Sequence, residues 1–147
     1  MRVLFDTNVV LDVLLAREPH ALPAARLFAA VVDGVLEGVL CATSVTTLDY
    51  LASKAASARV AHDLLDVALG IFEIAPVNGA VLHQALGGRG PDFEDSVIAA
   101  AAAAADVDAI VTRDPAGYRY AAMPVMSPEE LIAVIHATRD HVEIVSI

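Results

Sequence analysis

The chain opens with three apolar residues, Val3-Leu4-Phe5, followed at once by a carboxylate, Asp6. A short unbroken apolar run reads as a strand buried on both faces, the kind a parallel sheet uses. Comparable runs recur at Val39–Ala42, Ile71–Ile74, Ala109–Val111 and Pro124–Met126, and the tail His141–Ile147 reads as a further strand. Helical patterns lie between them. Asn8–Leu15 predicts a short helix with Asp12 on its exposed side, and Pro19–Val35 a longer one opened by Pro19 and closed by Gly34. Thr43 or Ser44 caps a helix through Lys54, Ser57–Leu69 is stopped by Gly70, and Asn78 caps a helix to about Leu86. Asp92–Ala105 is alanine-rich and strongly helical. Ser127-Pro128-Glu129-Glu130 is a capping box that starts the last helix. Strands alternating with helices predict an α/β fold: a mostly parallel sheet of four to five strands, covered on both faces.

Composition narrows the class. A chain of 147 residues with 57% hydrophobic content predicts one domain over residues 1–147 with a substantial core. No apolar stretch reaches the ~18–20 residues of a membrane span. Asp6 and Asp12 break the apolar start that a signal peptide needs. One cysteine, Cys41, excludes an internal disulfide and a CxxC metal site. The expectation is a cytoplasmic protein with no membrane partner. The net charge of −10, with Lys54 the one lysine, gives no overall basic face for nucleic acid. Arg17, Arg26, Arg59, Arg89, Arg113 and Arg119 remain for phosphate contacts, with Arg89 and Arg113 nearest the acidic segments. The five histidines show no ligand spacing and read as surface residues.

The acids change the picture more. Asp6 stands at the end of the first strand, where ligands gather in a parallel α/β sheet. It reads as a helix cap or as the first acid of a site, and Thr7 and Asn8 add two more oxygen-bearing side chains beside it. Asp92 and Asp95 are three apart, so Asp92 caps the alanine helix while Asp95 sits in its first turn, favoured by the helix dipole. Helical geometry puts the two on one face, about 60° apart. Glu94 points elsewhere on that helix, to solvent or to a place behind Asp95. Asp114 follows the fourth strand, in a turn before Pro115. Asp49 lies inside the second-strand helix, on a solvated face or facing the other acids. Asp12, Asp63, Asp66, Asp106, Asp108 and Asp140 read as surface acids.

If Asp6, Asp49, Asp95 and Asp114 meet, they form an oxygen-rich site for Mg²⁺ or Mn²⁺. Two bare carboxylates ~5 Å apart repel by roughly 3 kcal/mol at an effective dielectric of 20, which a divalent cation removes. Such a site suits phosphodiester hydrolysis by a metal-activated water.

Four segments resemble the PIN domain family, and in particular its VapC-like toxin ribonucleases. Leu4-Phe5-Asp6-Thr7-Asn8-Val9 is similar to the family's opening LLDTNV. Thr43-Ser44-Val45-Thr46-Thr47-Leu48-Asp49-Tyr50 is similar to its S-x-x-T-x-x-E-L helix, and Asp95-Ser96-Val97-Ile98-Ala99-Ala100 to D-x-x-I-A-A. Ile110-Val111-Thr112-Arg113-Asp114 is similar to the strand followed by T-x-D. The resemblance covers nearly the whole chain. It implies a three-layer α/β/α sandwich and metal-dependent cleavage of single-stranded RNA. Asp6, Asp95 and Asp114 would hold the metal, with Thr112 and Asn8 in support. Asp49 falls where the family has Glu, one methylene longer, and Asp92 and Glu94 are extra acids that could compensate. The resemblance also implies a homodimer and an antitoxin protein partner that inserts into the acidic groove.

Two other classes remain in view. A catalytically weakened PIN-like module would bind RNA or a partner without cutting. A dehalogenase-like phosphatase would need an acid two residues after Asp6, where Asn8 stands, and a well-placed lysine. A receiver-like phosphoacceptor lacks that lysine too.

Overall fold

The computed structural model describes residues 1–145 except Arg89, with the side chains of residues 141–145 also outside the description. Five strands form the sheet: β1 (Arg2–Phe5), β2 (Glu37–Cys41), β3 (Glu73–Ala75), β4 (Ala109–Val111) and β5 (Val125–Met126). Their order is β3-β2-β1-β4-β5, and every pairing is parallel. Among the described residues seven α-helices connect and cover them: α1 (Thr7–Leu14), α2 (Ala21–Val32), α3 (Ala42–Ala55), α4 (Ala58–Ile71), α5 (Gly79–Gly87), α6 (Phe93–Ala104) and α7 (Pro128–Val145). The alternation of strand and helix therefore gives the expected three-layer α/β/α architecture.

Alternate residues of β1 feed the two faces. Val3 and Phe5 enter a core shared with α1, α2, α3, α4 and α7, where Phe5, Phe28 and Phe72 meet edge to face. Leu4 enters the other core, with α5 and α6. Gly38 in β2 is required by this packing, because a Cβ there would stand 2.6 Å from the Phe72 ring.

The order matters for function. From β1 the chain moves first toward β2 and β3, and later to the opposite side through β4 and β5. The sheet reverses its winding between β1 and β4, and the crevice beyond their carboxyl ends is where an open α/β sheet binds ligands. Asp6 follows β1, and Thr112 to Asp114 follow β4.

Several local expectations hold in detail. Ser57 and Asn78 cap α4 and α5, accepting from Val60 N and Val81 N. Ser127 and Glu130 form the reciprocal capping box of α7. Gly34 adopts φ +77° just past α2, the left-handed position that favours glycine. Other elements differ. α2 starts at Ala21, because Pro19 belongs to the turn before it, after a cis Glu18–Pro19 bond. α3 springs from β2 at Ala42, so Thr43 and Ser44 lie inside it and do not cap it. α4 passes through Gly70 to Ile71, which moves β3 down to Glu73–Ala75. The tail predicted as a strand is helical to Val145, since no Gly or Pro after Pro128 interrupts α7; Ser146 and Ile147 lie outside the described residues. α6 is one-sided, with Ala100, Ala101 and Ala102 buried and Ala103 and Ala104 exposed. Among the described residues no helix is long and apolar enough to cross a membrane.

Candidate active site

Asp6 ends β1 and caps α1, its Oδ1 accepting from Thr7 N at 2.8 Å. Its other oxygen accepts from the Thr112 hydroxyl at 2.8 Å and from Asn8 Nδ2 at 3.4 Å. Thr112 is fully buried and also accepts from Asn8 Nδ2 and from Asp114 N, at 3.3 and 3.0 Å. Asn8 Oδ1 in turn accepts from Arg113 N at 3.2 Å. Thr112 and Asn8 thus tie the ends of β1 and β4 into one network. A network of this kind fixes the carboxylate far more tightly than a cap alone.

Asp95 reaches the same place from the first turn of α6, which Asp92 caps by accepting from Asp95 N at 3.1 Å. The Asp95 carboxyl is pushed up to about 6, chiefly by burial and then by the charges of Asp92 and Asp6. Asp114 arrives over the turn after β4. A Cβ on Gly117 would lie 2.5 Å from Asp95 Oδ2 and 3.7 Å from Asp114 Oδ2, so both carboxylates border the space that this glycine leaves open. Asp6, Asp92, Glu94, Asp95 and Asp114 all line one open cleft, together with Thr7, Asn8 and Thr47.

Asp49 is not among them. Thr47 and Leu51 line the cleft from α3, and Asp49, about 200° round the helix from Thr47, is exposed on another face. From the same helix Thr47 Oγ1 donates to Glu94 Oε1 at 3.0 Å, and both residues line the cleft. A fourth acid lining the cleft is thus Glu94 of α6, which the sequence suggested only as a compensating neighbour.

Asp12 also differs from expectation. It is fully buried, not a surface acid, and its carboxylate binds two arginines. Both, Arg17 and Arg113, line the cleft. The signal was present: Asp12 is four residues after Asn8 and so falls on the same side of α1. Arg89 lies outside the described residues.

Tyr118 was missed by the sequence reading. Its hydroxyl is buried, faces the charges of Asp6 and Asp95, and makes no hydrogen bond of good geometry among the described residues. Burial first, and then those two carboxylates, push its pKa upward, so it stays a phenol. Thr7 Oγ1 is likewise buried without a partner. Two orphaned hydroxyls next to crowded carboxylates suit a hydrated cation, because buried polar atoms are otherwise satisfied. Among the described residues no three acidic, histidine or cysteine groups converge closely enough to enclose an ion by themselves. The donor set fits Mg²⁺ all the same, since that ion keeps several waters and takes only one or two carboxylates.

The profile of the PIN domain family matches residues 2–116. No curated protein matches the sequence. Among solved structures, the VapBC2 complex of Rickettsia felis bound to a promoter DNA fragment aligns with TM-score 0.68 and 16% identity, over 86% of this chain and 98% of that one. FitAcB of Neisseria gonorrhoeae gives TM-score 0.64 and 20% identity, over 86% of this chain and 97% of that one. VapC20 of Mycobacterium tuberculosis, a toxin that cleaves the sarcin-ricin loop, gives 0.61 and 15%, over 74% of this chain and 86% of that one.

Proposed function

Because the chain belongs to the PIN domain family, we propose that it is a metal-dependent endoribonuclease cutting single-stranded RNA, the toxin of a toxin–antitoxin pair. The observation that carries the chemistry is the convergence of Asp6, Asp95, Asp114 and Glu94 on one cleft at the switch point of the sheet. Asp6, Asp95 and Asp114 would hold Mg²⁺ or Mn²⁺, directly or through its waters. When bound, the cation supplies charge neutralisation at the phosphate and an acidified water as nucleophile.

The chain's own residues do the rest. Thr112, Asn8 and the Thr7 amide hold Asp6 in one orientation. Asp92 and the α6 amino end fix Asp95. Glu94, oriented by Thr47, presents a further carboxylate toward the cleft and can accept a proton there. The Tyr118 phenol keeps its proton and can donate to Asp6, Asp95 or a water beside them. The toxin reading draws on the likeness to the VapBC and FitAB structures, and to one further structure described as a toxin–antitoxin complex. An antitoxin partner, a homodimer and work in the cytoplasm, where such RNA is found, belong to the same reading. An arginine from an antitoxin would pair readily with this acidic cleft.

The experiment is incubation of purified protein with labelled single-stranded RNA and Mn²⁺ or Mg²⁺. Cleavage is expected, lost with EDTA, with Asp6→Asn and with Asp95→Asn. One observation favours a second reading, a PIN-like module that binds without cutting: α3 brings no acid to the cleft, and among the described residues no three acids enclose an ion. Retained RNA binding with no cleavage under either metal would support that module and overturn the nuclease.

A further inference from the structure

The acidic cleft has a positive wall. Arg17 and Arg113 line it together with the carboxylates. Both are bound to the same buried group: Arg17 Nε to Asp12 Oδ1 at 2.9 Å, Arg113 Nε to Asp12 Oδ2 at 2.5 Å, and Arg113 Nη2 to Oδ1 at 3.2 Å. Arg17 Nη2 also donates to the Asn8 carbonyl at 3.2 Å. Each guanidinium has five N–H donors, and these contacts occupy two groups on each. Nη1 of both arginines has no hydrogen bond among the described residues. One carboxylate cannot neutralise two guanidinium groups, so the trio keeps a net charge of about +1.

Stability alone is a poor reason for this arrangement. The Asp12 side chain is 1% exposed, whereas those of Arg17 and Arg113 are 40% and 30% exposed. Replacing a buried ion pair by apolar residues is often neutral or stabilising. What a buried acid does provide is position: it holds two cleft-lining cations in one orientation and leaves an unbonded Nη1 on each. Planar guanidinium donors match phosphate oxygens. Arg113 also lies between Thr112 and Asp114, so its reach is set by the residues that fix the acidic centre.

We propose that Arg17 and Arg113, held together by Asp12, bind an RNA backbone phosphate next to the one that is cut. This goes beyond the ribonuclease reading and rests on it. The pair are positioning residues: they set which stretch of backbone crosses the cleft while the acids act on the neighbouring linkage. Nothing in this contact reads a base, so it adds affinity without sequence preference.

The test measures binding of a short labelled oligouridine by fluorescence anisotropy, over a salt series in Mg²⁺. The background is Asp95→Asn, which leaves the RNA uncut. Arg17→Gln and Arg113→Gln should each raise Kd by roughly tenfold, the scale of one charge-assisted hydrogen bond. Each should also lower the slope of log K against log salt by about 0.7, the signature of one lost phosphate contact on a single strand. Arg139→Gln, exposed on α7 and outside the cleft, should change neither. A merely structural role would lower the melting temperature and leave the slope intact, and that result overturns the proposal. Should Arg113→Gln fail to fold, Arg113→Lys and Arg17→Gln decide: the lysine should keep the slope and lose part of the affinity, while Arg17→Gln leaves Asp12 still paired. An unchanged slope in Arg17→Gln again overturns it. If wild type cuts RNA but the arginine variants keep the slope, this proposal falls alone. If wild type neither cuts nor binds RNA, the ribonuclease reading falls with it.

Discussion

The Thr112 hydroxyl donates to Asp6 Oδ2 at 2.8 Å, so the residue after β4 holds the carboxylate that ends β1. The two strands are already paired in parallel, with Phe5 opposite Val111. The side-chain bond extends that pairing beyond the sheet, into the cleft.

Thr112→Val keeps the shape and removes the hydroxyl. It strips one donor from Asp6 and the acceptor from Asp114 N, both at a fully buried residue. A cost of about 1–3 kcal/mol follows from leaving buried groups unsatisfied. Urea unfolding should report that loss, and RNA cleavage should slow by more than the lost folded fraction explains. Thr112→Ser should restore most of both.

Asp49 and Glu94 make a paired prediction. Asp49 is exposed away from the cleft, so Asp49→Ala should leave both stability and cleavage rate at wild-type levels. Glu94→Gln keeps a group that Thr47 can still reach but removes the charge. Its rate should fall on the order of tenfold, equal to about 1.4 kcal/mol of transition-state stabilisation. The opposite pattern in single-turnover cleavage would return the fourth acid to α3.

The sheet, and the approach of Asp6, Asp95 and Asp114 to one cleft, were legible because each sits at a boundary that local chemistry marks. A strand ends at Asp6 and another near Asp114, and a cap at Asp92 puts Asp95 in a first turn. Asp49 misled because a motif match gives spacing but not helix phase: Thr47 and Leu51, on either side of it, are the α3 residues that line the cleft. Asp12 misled because a charged residue on a short helix is usually exposed, and its two arginine partners lie 5 and 101 residues further along the chain. Tyr118 and Gly117 carried no signal of their own. Their roles depend on a turn that folds back over α6, and such nonlocal contacts leave no periodicity to read.

Gly117 is the tightest of these contacts. A Cβ there would lie 2.5 Å from Asp95 Oδ2, so Gly117→Ala must displace that carboxylate. Its φ is ordinary, and the obstructing atom is the end of a side chain, so the fold should tolerate the methyl. The melting temperature should therefore change little while cleavage falls. An alanine variant with full activity would mean that Asp95 does not need its present orientation.

The last prediction concerns proton uptake at Asp95. An ordinary aspartate titrates near 3.9 in an unfolded chain, whereas burial, Asp92 and Asp6 push this one up to about 6. Between those values the folded protein binds the extra proton. The group's contribution to stability is therefore most favourable below pH about 4 and declines as pH rises through 6, the reverse of a salt-bridged acid. Asp95→Asn cannot charge, so with EDTA present it should be more stable than wild type at pH about 7 and lose that advantage by pH about 4. Paired urea unfolding curves at the two pH values measure this directly. A divalent cation favours the charged carboxylate, so adding Mg²⁺ near pH 6 should release protons from wild type, as read by a pH indicator, and far fewer from Asp95→Asn. A variant whose stability tracks wild type at both pH values, and whose proton release matches it, would remove Asp95 from the cation site.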